Sequence, residues 1–314
     1  MPKPTDLIMT TRSLYGGLLK GRATLRLERS WNQAESWWRG RQVEYKAPSR
    51  WRLDRRGIAL DSKKVCIVTG SSSGIGAATA LLYAERGWNV VVNYSREAAP
   101  AEAVAKACRT AGADALVVRC NVANDDDCRR LAREVEQRWG RADVLVNNAG
   151  TTRFVDLKNL DGLTGEDFHA IYDVNVVGTY QMTRALVPLM RLNKGAAVVN
   201  VSSVASMTGY GSSIAYMASK GAMNAMTAGL ARALSPEIRV NAIAPGFVDS
   251  KWLRDGLGAE RYAAGCEAYK SRAALDDVIM PEDVAKAAWY LGVDAVKTTG
   301  EVLLVDAGFR LTRV

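Results

Sequence analysis

The chain has 314 residues, a formal net charge of +9, 48% hydrophobic and 24% charged residues, values that exclude wholesale disorder and allow a large core without disulfides or metal staples. A single histidine, His169, excludes an HExxH zinc site and two-histidine iron sites and argues against a Ser-His-Asp triad. The five cysteines (Cys66, Cys108, Cys120, Cys128, Cys266) are odd in number and carry no CxxC, which reads as reduced thiols of a cytoplasmic protein, and no run of about 18 apolar residues offers a bilayer span.

Residues 1–60 hold thirteen Lys/Arg against five Asp/Glu, and four of the eight tryptophans (Trp31, Trp37, Trp38, Trp51); residues 61–314 hold twenty-nine basic side chains against twenty-eight acidic. The first 60 residues show neither a helical nor an alternating period. They read as a basic leader, disordered or outside the native fold. A transit peptide, a helical arm for oligomer contacts, and an Arg/Trp patch for nucleic acid or anionic membrane are the alternatives. Residues 61–314 read as one domain.

From Lys64 onward short apolar runs alternate with helical stretches. Val65–Thr69 is the first strand, and Thr69-Gly70-Ser71-Ser72-Ser73-Gly74-Ile75-Gly76 leads from it into a helix over Ala77–Arg86. Gly70 permits the tight turn, Gly74 lets the backbone approach a pyrophosphate, and Gly76 lets helix and sheet pack closely. Ser72, Ser73 and Ile75 complete the loop, and the helix start offers its N–H groups and positive dipole end to an anion. Strand two, Val90–Asn93, runs into Asn93-Tyr94-Ser95-Arg96 with no acid before Glu97. An acid here would bond a ribose 2′-OH. Asn93 and Ser95 instead can donate to a 2′-phosphate beside Tyr94, and Arg96 can pair with it. NADP(H) is therefore favoured, with NAD(H) the alternative.

Further helices are expected over Ala101–Ala111, Asp126–Trp139, Glu166–Met190, Ile214–Leu234 and Pro281–Leu291. The other strands are expected over Ala115–Cys120, Val144–Asn147, Ala197–Val201, Arg239–Ile243 and Val302–Val305. Gly87 and Gly140 close two helices, and Pro281-Glu282-Asp283 opens the last. Continuous apolar strands alternating with helices mean a parallel sheet covered on both faces. The fold class expected is α/β: a single doubly wound Rossmann-type domain, a seven-stranded parallel sheet with helices on both faces, preceded by an irregular basic N-terminal leader.

Asn147-Asn148-Ala149-Gly150 follows strand four, Asn175 lies in the long helix, and Ser203 ends strand five. Tyr216-Met217-Ala218-Ser219-Lys220 and Pro245-Gly246 come after it. With Thr69–Gly76, these motifs in this order resemble the short-chain dehydrogenase/reductase family, and within it the branch of 3-oxoacyl-acyl-carrier-protein reductases. The resemblance spans about Lys63 to Val314. It implies NAD(P)-dependent oxidation or reduction at a CH–OH/C=O centre, with Asn175, Ser203, Tyr216 and Lys220 as the catalytic four.

The chemistry is consistent with that implication. Tyr216 and Lys220 are i and i+4 on one helix and share a face. Bringing a tyrosine from its usual pKa near 10 to neutral pH takes about 4 kcal/mol of phenolate stabilisation. One cation about 4 Å away supplies a term of that size at an effective dielectric of about 20. Alternation puts Ser202 and Ser203 on opposite faces; the resemblance picks Ser203 to hold the substrate oxygen. It further implies a proton relay through the Asn175 carbonyl, and Lys220 and Tyr216 on the nicotinamide ribose side. Asn148, Ala149 and Gly150 would line the adenine-ribose side, with Asn121-Val122 where the family has Asp-Val, and Pro245, Gly246 and Val248 at the carboxamide.

Asp249–Ile279 is expected to be a mobile lid, with Met207, Tyr210 and Trp252 as pocket-lining candidates. Lys194 matches one basic position of carrier-protein reductases; the second is replaced by Ser235-Pro236-Glu237. The expected activity is NADPH-dependent reduction of a 3-oxoacyl-type or other ketone to a secondary alcohol. Alternatives are an alcohol, sugar or steroid-type dehydrogenase and a cofactor-sensing scaffold without turnover. The partners expected are a small carbonyl or alcohol substrate and further copies of the chain, as a homotetramer or homodimer. No metal is expected.

Overall fold

The structure, a computed structural model, describes residues 52–53, 59–60 and 63–311. Of the leader read over residues 1–60, only residues 52–53 and 59–60 are described; the rest lies outside the described residues. Trp51–Val314 forms one compact unit. It opens with an antiparallel ribbon in which Arg52 pairs with Leu60 and Leu53 with Ala59.

Seven strands build the sheet: β1 (Val65–Val68), β2 (Asn89–Tyr94), β3 (Ala115–Arg119), β4 (Val144–Asn147), β5 (Ala196–Val201), β6 (Ile238–Pro245) and β7 (Val302–Val305). Their order is β3-β2-β1-β4-β5-β6-β7 and every neighbouring pair is parallel. The expected architecture is therefore present. Because β1 is central and buried on both faces, all four of its residues are apolar and fully buried. Cys66 and Val68 face one layer, Val65 and Ile67 the other.

The first layer holds α1 (Gly74–Glu85), α2 (Ala98–Thr110) and a C-terminal helix over Pro281–Trp289. The second holds α3 (Asp125–Trp139) and the helices over Thr179–Met190 and Ile214–Leu234. Helix α3 shows why such segments form. Asn124 caps it, accepting from Asp127 N at 3.1 Å; three acids occupy its first turn, and Gly140 (φ 64°) ends it. Its buried residues Cys128, Leu131, Val135 and Trp139 recur every three to four positions and face the sheet.

The helix expected over Glu166–Met190 runs through the whole span, but its α-winding is broken by a π turn. It divides into α4 (Gly165–Tyr172), a π-helical turn over Asp173–Gly178, and α5 (Thr179–Met190). Packing explains the break. A Cβ on Gly178 would sit 2.7 Å from Val122 Cγ2, so the turn lies directly on the loop after β3. The Thr179 hydroxyl donates to the Asn175 carbonyl at 2.9 Å. Downstream come a short α6 (Ala205–Thr208), α7 (Ile214–Leu234), α8 (Lys251–Leu257), α9 (Ala259–Lys270) and α10 (Pro281–Trp289). No described helix is long and apolar enough to cross a membrane.

The strand order reverses at β1 and β4. In open parallel sheets the ligand crevice lies beyond the C-terminal strand ends at that reversal. Residues 69–76, 148–151 and 202–216 all gather there.

Candidate active site

The glycine-rich turn is built by close approach. Gly70 has φ 61°, and a Cβ on it would meet Ala149 Cα at 2.9 Å. Gly76 packs under the turn, where a Cβ would lie 2.5 Å from Gly70 O. Only residues without a side chain fit these two places. The Asn148 amide donates to Thr69 O (2.9 Å) and Gly70 O (3.0 Å), tying the end of β4 to the turn. Ser73, the N-cap of α1, makes no side-chain cap. Together with Ser72, Gly74 and Ile75, the helix start is a cradle for an anion.

The expectation for Asn93 is corrected. Its side chain is buried, 2% exposed, and spent inside the protein. Oδ1 accepts from Gly70 N at 2.8 Å, and Nδ2 donates to Val118 O and Cys120 O. Asn93 braces the turn from below rather than reaching a 2′-phosphate. Tyr94 is partly buried, whereas Ser95 and Arg96 are exposed. Asn121 is exposed and accepts from Ala123 N at 3.2 Å; Val122 is buried. Pro245 ends β6, Gly246 packs against the Tyr269 hydroxyl, and the buried Val248 bridges to Ile279.

Four elements converge on the second half of the crevice. Ser213 caps α7, accepting from Tyr216 N at 3.2 Å, and α7 carries Tyr216 and Lys220. Ser203, just past β5, lies near enough to the Tyr216 phenol to favour its ionised form. Ser202 is turned away: its hydroxyl bonds Asn224 Oδ1 (2.6 Å) and Lys220 O (3.3 Å). The π turn delivers Asn175, whose side chain is fully bonded: Oδ1 takes Thr151 N at 2.8 Å, and Nδ2 donates to Thr151 O and to Ser219 Oγ. The Ser219 hydroxyl then donates to Tyr216 O at 2.7 Å. Gly150 lies between the pieces; a Cβ on it would be 3.4 Å from Asn175 Oδ1 and 3.7 Å from Lys220 Nζ.

Electrostatics depart from one expectation. Burial pushes the Tyr216 phenol up to about 12, against the opposing effect of Ser203. Burial also pushes Lys220, 3% exposed, down to about 8. The Lys220 ammonium donates to Val201 O at 2.7 Å and stands 5.6 Å from the Tyr216 ring centre. At that separation desolvation of the phenolate outweighs the attraction expected from a closer cation.

Of the three pocket candidates, Trp252 comes to the site: its ring centre is 6.2 Å from that of Tyr216. Tyr210 instead packs edge-on against Phe309 and under the Arg272 guanidinium. Met207 is exposed on α6. The segment expected as a lid holds two helices, joined where the Asp249 carboxylate accepts from Tyr262 (2.6 Å) and Arg254; these bonds hold Asp249 below the usual carboxylate range. Lys194 lines one surface cavity of about 390 Å³ together with Arg191 and Glu237. Ser219 and Phe154 escaped the sequence reading. The serine is read as spacing inside Tyr-x-x-x-Lys, and the phenylalanine sits in a loop without period.

A family model described as enoyl-(acyl carrier protein) reductase matches residues 70–310. A protein assigned as ketoacyl reductase 2 of the granaticin polyketide synthase of Streptomyces violaceoruber is 42% identical over 247 residues, 79% of this chain and 96% of that protein. The 3-oxoacyl-[acyl-carrier-protein] reductase of Synechocystis is 36% identical over 248 residues, 78% of this chain and 96% of the relative. Among solved structures, a protein from Burkholderia xenovorans assigned as a short-chain dehydrogenase/reductase superposes with TM-score 0.74 at 43% identity, covering 80% of this chain and 99% of the other. The ligand-free aldohexose dehydrogenase of Thermoplasma acidophilum gives TM-score 0.71 at 27% identity, covering 80% and 95%.

Proposed function

Since this chain belongs to the short-chain dehydrogenase/reductase family of oxidoreductases, we propose that it uses NADPH to reduce a ketone, 3-oxoacyl-type or other, to a secondary alcohol. The observation that carries this reading is a half-buried Tyr216 beside Ser203, with Lys220 on the same helix face and Asn175 locked against that helix through Ser219.

The residues fit the cofactor. Gly70, Gly74 and Gly76 open the cradle, Ser72, Ser73 and Ile75 start the helix that faces it, and Asn148, Ala149 and Gly150 wall the other side. Tyr94, Ser95 and Arg96 would meet the 2′-phosphate, Asn121 and Val122 the adenine, and Pro245, Gly246 and Val248 the carboxamide. Lys220 and Tyr216 lie on the ribose side. Bound NADPH supplies a hydride to the carbonyl carbon.

Every remaining step belongs to side chains of this protein. Ser203 donates to the substrate oxygen and fixes it beside the phenol. Tyr216 gives that oxygen its proton; the raised pKa keeps the acid loaded at neutral pH. Lys220 in its charged form stabilises the phenolate left behind. The Asn175 carbonyl, with one lone pair taken by Thr179, keeps a second to accept from a relay water.

The cytoplasm is the proposed location, in keeping with five free cysteines. A homotetramer or homodimer is proposed, with Val177 and Tyr180 exposed on the π turn and α5 as contact residues. The test is NADPH consumption with a panel of β-keto esters, quinones and small ketones. Tyr216→Phe is expected to lose about 10²- to 10⁴-fold in kcat; full turnover by that variant overturns the assignment.

A further inference from the structure

Phe154 stands on the loop after β4 and belongs to neither hydrophobic layer of the core. Its ring centre lies 5.5 Å from that of Trp252, inclined by 54°. Trp252 in turn lies 6.2 Å from Tyr216, inclined by 44°. Gly256, one turn beyond Trp252 on α8, is the notch that admits Phe154, since a Cβ there would overlap the phenyl ring. The indole nevertheless stays 43% exposed. A large aromatic surface is therefore presented beside the proton donor rather than consumed in packing.

The position of that surface is set by α8 and α9. Ser250 caps α8, accepting from Leu253 N at 3.4 Å. Asp249 ties α8 to α9 through Arg254 and Tyr262.

We propose that Trp252 and Phe154 form an aromatic wall that selects ketones carried on a flat ring over linear 3-oxoacyl chains. The proposal rests on Tyr216 being the proton donor. A carbonyl oxygen bonded to Tyr216 and Ser203 places its carbon substituents within about one ring width of the indole. A flat ring there gains offset or edge-to-face contact as well as burial, whereas a methylene chain gains burial alone. The aromatic increment corresponds to a selectivity of about 2- to 12-fold.

The experiment compares 1-tetralone with ethyl acetoacetate, both with NADPH, in the full chain and in Trp252→Ala, Trp252→Phe and Phe154→Leu. The ring-to-linear ratio of kcat/KM is expected to favour 1-tetralone in the parent. It should fall about tenfold in Trp252→Ala and be largely restored in Trp252→Phe. Calorimetric binding of 2-naphthol to the cofactor-free chain, weakened in Trp252→Ala, reads the wall without turnover. If Trp252→Ala does not fold, Phe154→Leu keeps the Gly256 notch filled without a ring and must lower the same ratio. Equal losses on both ketones, or unchanged 2-naphthol binding, overturn the wall. Binding that responds to Trp252 in a chain that turns over neither ketone supports the wall and overturns the ketone-reductase reading instead.

Discussion

Burial moves Lys220 from its ordinary 10.5 down to about 8 and Tyr216 from 10.0 up to about 12. Between pH 8 and 10.5 the unfolded chain binds more protons at Lys220 than the folded one, so this residue's contribution to stability rises with pH there. For Tyr216 the unfolded state loses its proton first, so its contribution falls between about pH 10 and 12. Activity follows the charge on Lys220. Because kcat/KM reports groups of the free enzyme, ketone reduction is expected to be flat up to about pH 8 and to fall about tenfold per pH unit above it. Lys220→Arg, cationic throughout, should show lower activity but no such limb. A wild-type profile flat to pH 10 would remove Lys220 from the proposed chemistry. Residue identity was legible from motif order, but bonding state was not. Ser202 and Ser203 are alike in sequence, and only the Ser202 bonds to Asn224 and the Lys220 carbonyl separate them. Asn93 reads as a donor to phosphate until its amide is found holding Gly70.

Among the elements, the π turn over Asp173–Gly178 has the widest reach. It carries Asn175, and through Gly178 it lies on Val122 in the proposed adenine loop. Gly178→Ala would force a methyl against Val122 Cγ2 and O, 2.7 and 3.0 Å from the ideal Cβ. Overpacking of this kind costs about 1–3 kcal/mol. In a domain this size each kcal/mol lowers Tm by about 2–4 °C. The variant is expected to melt several degrees lower by calorimetry and to show a raised KM for NADPH together with a reduced kcat, because both ends of the turn touch the site. A melting loss with unchanged kinetics would confine the turn to a structural role. The seven strands were legible because parallel strands buried on both faces are continuous apolar runs. The π turn was not: one extra residue in a helical turn leaves the apolar period nearly intact, and the packing that causes it comes from a loop more than fifty positions away.

At the scale of the molecule, charge and fold separate. The compact unit Trp51–Val314 contains every strand and helix described above, yet most of the +9 lies before it: residues 1–50 hold ten Lys/Arg against four Asp/Glu, leaving +3 for residues 51–314. Net charge speaks to association and solubility rather than to fold. The seven-stranded sheet, the glycine turn and the residues around Tyr216 all belong to the compact unit, so catalysis and non-specific anion binding should be separable by shortening the chain. A chain beginning at residue 51 is expected to keep kcat/KM for its best ketone within about twofold and Tm within about 2 °C. It should elute from a cation exchanger at clearly lower salt than the 314-residue chain, because fewer cations meet the resin. Lost turnover in the shortened chain would place residues 1–50 in the working enzyme. Unchanged elution with turnover preserved would mean that the basic excess is neutralised within the full-length chain.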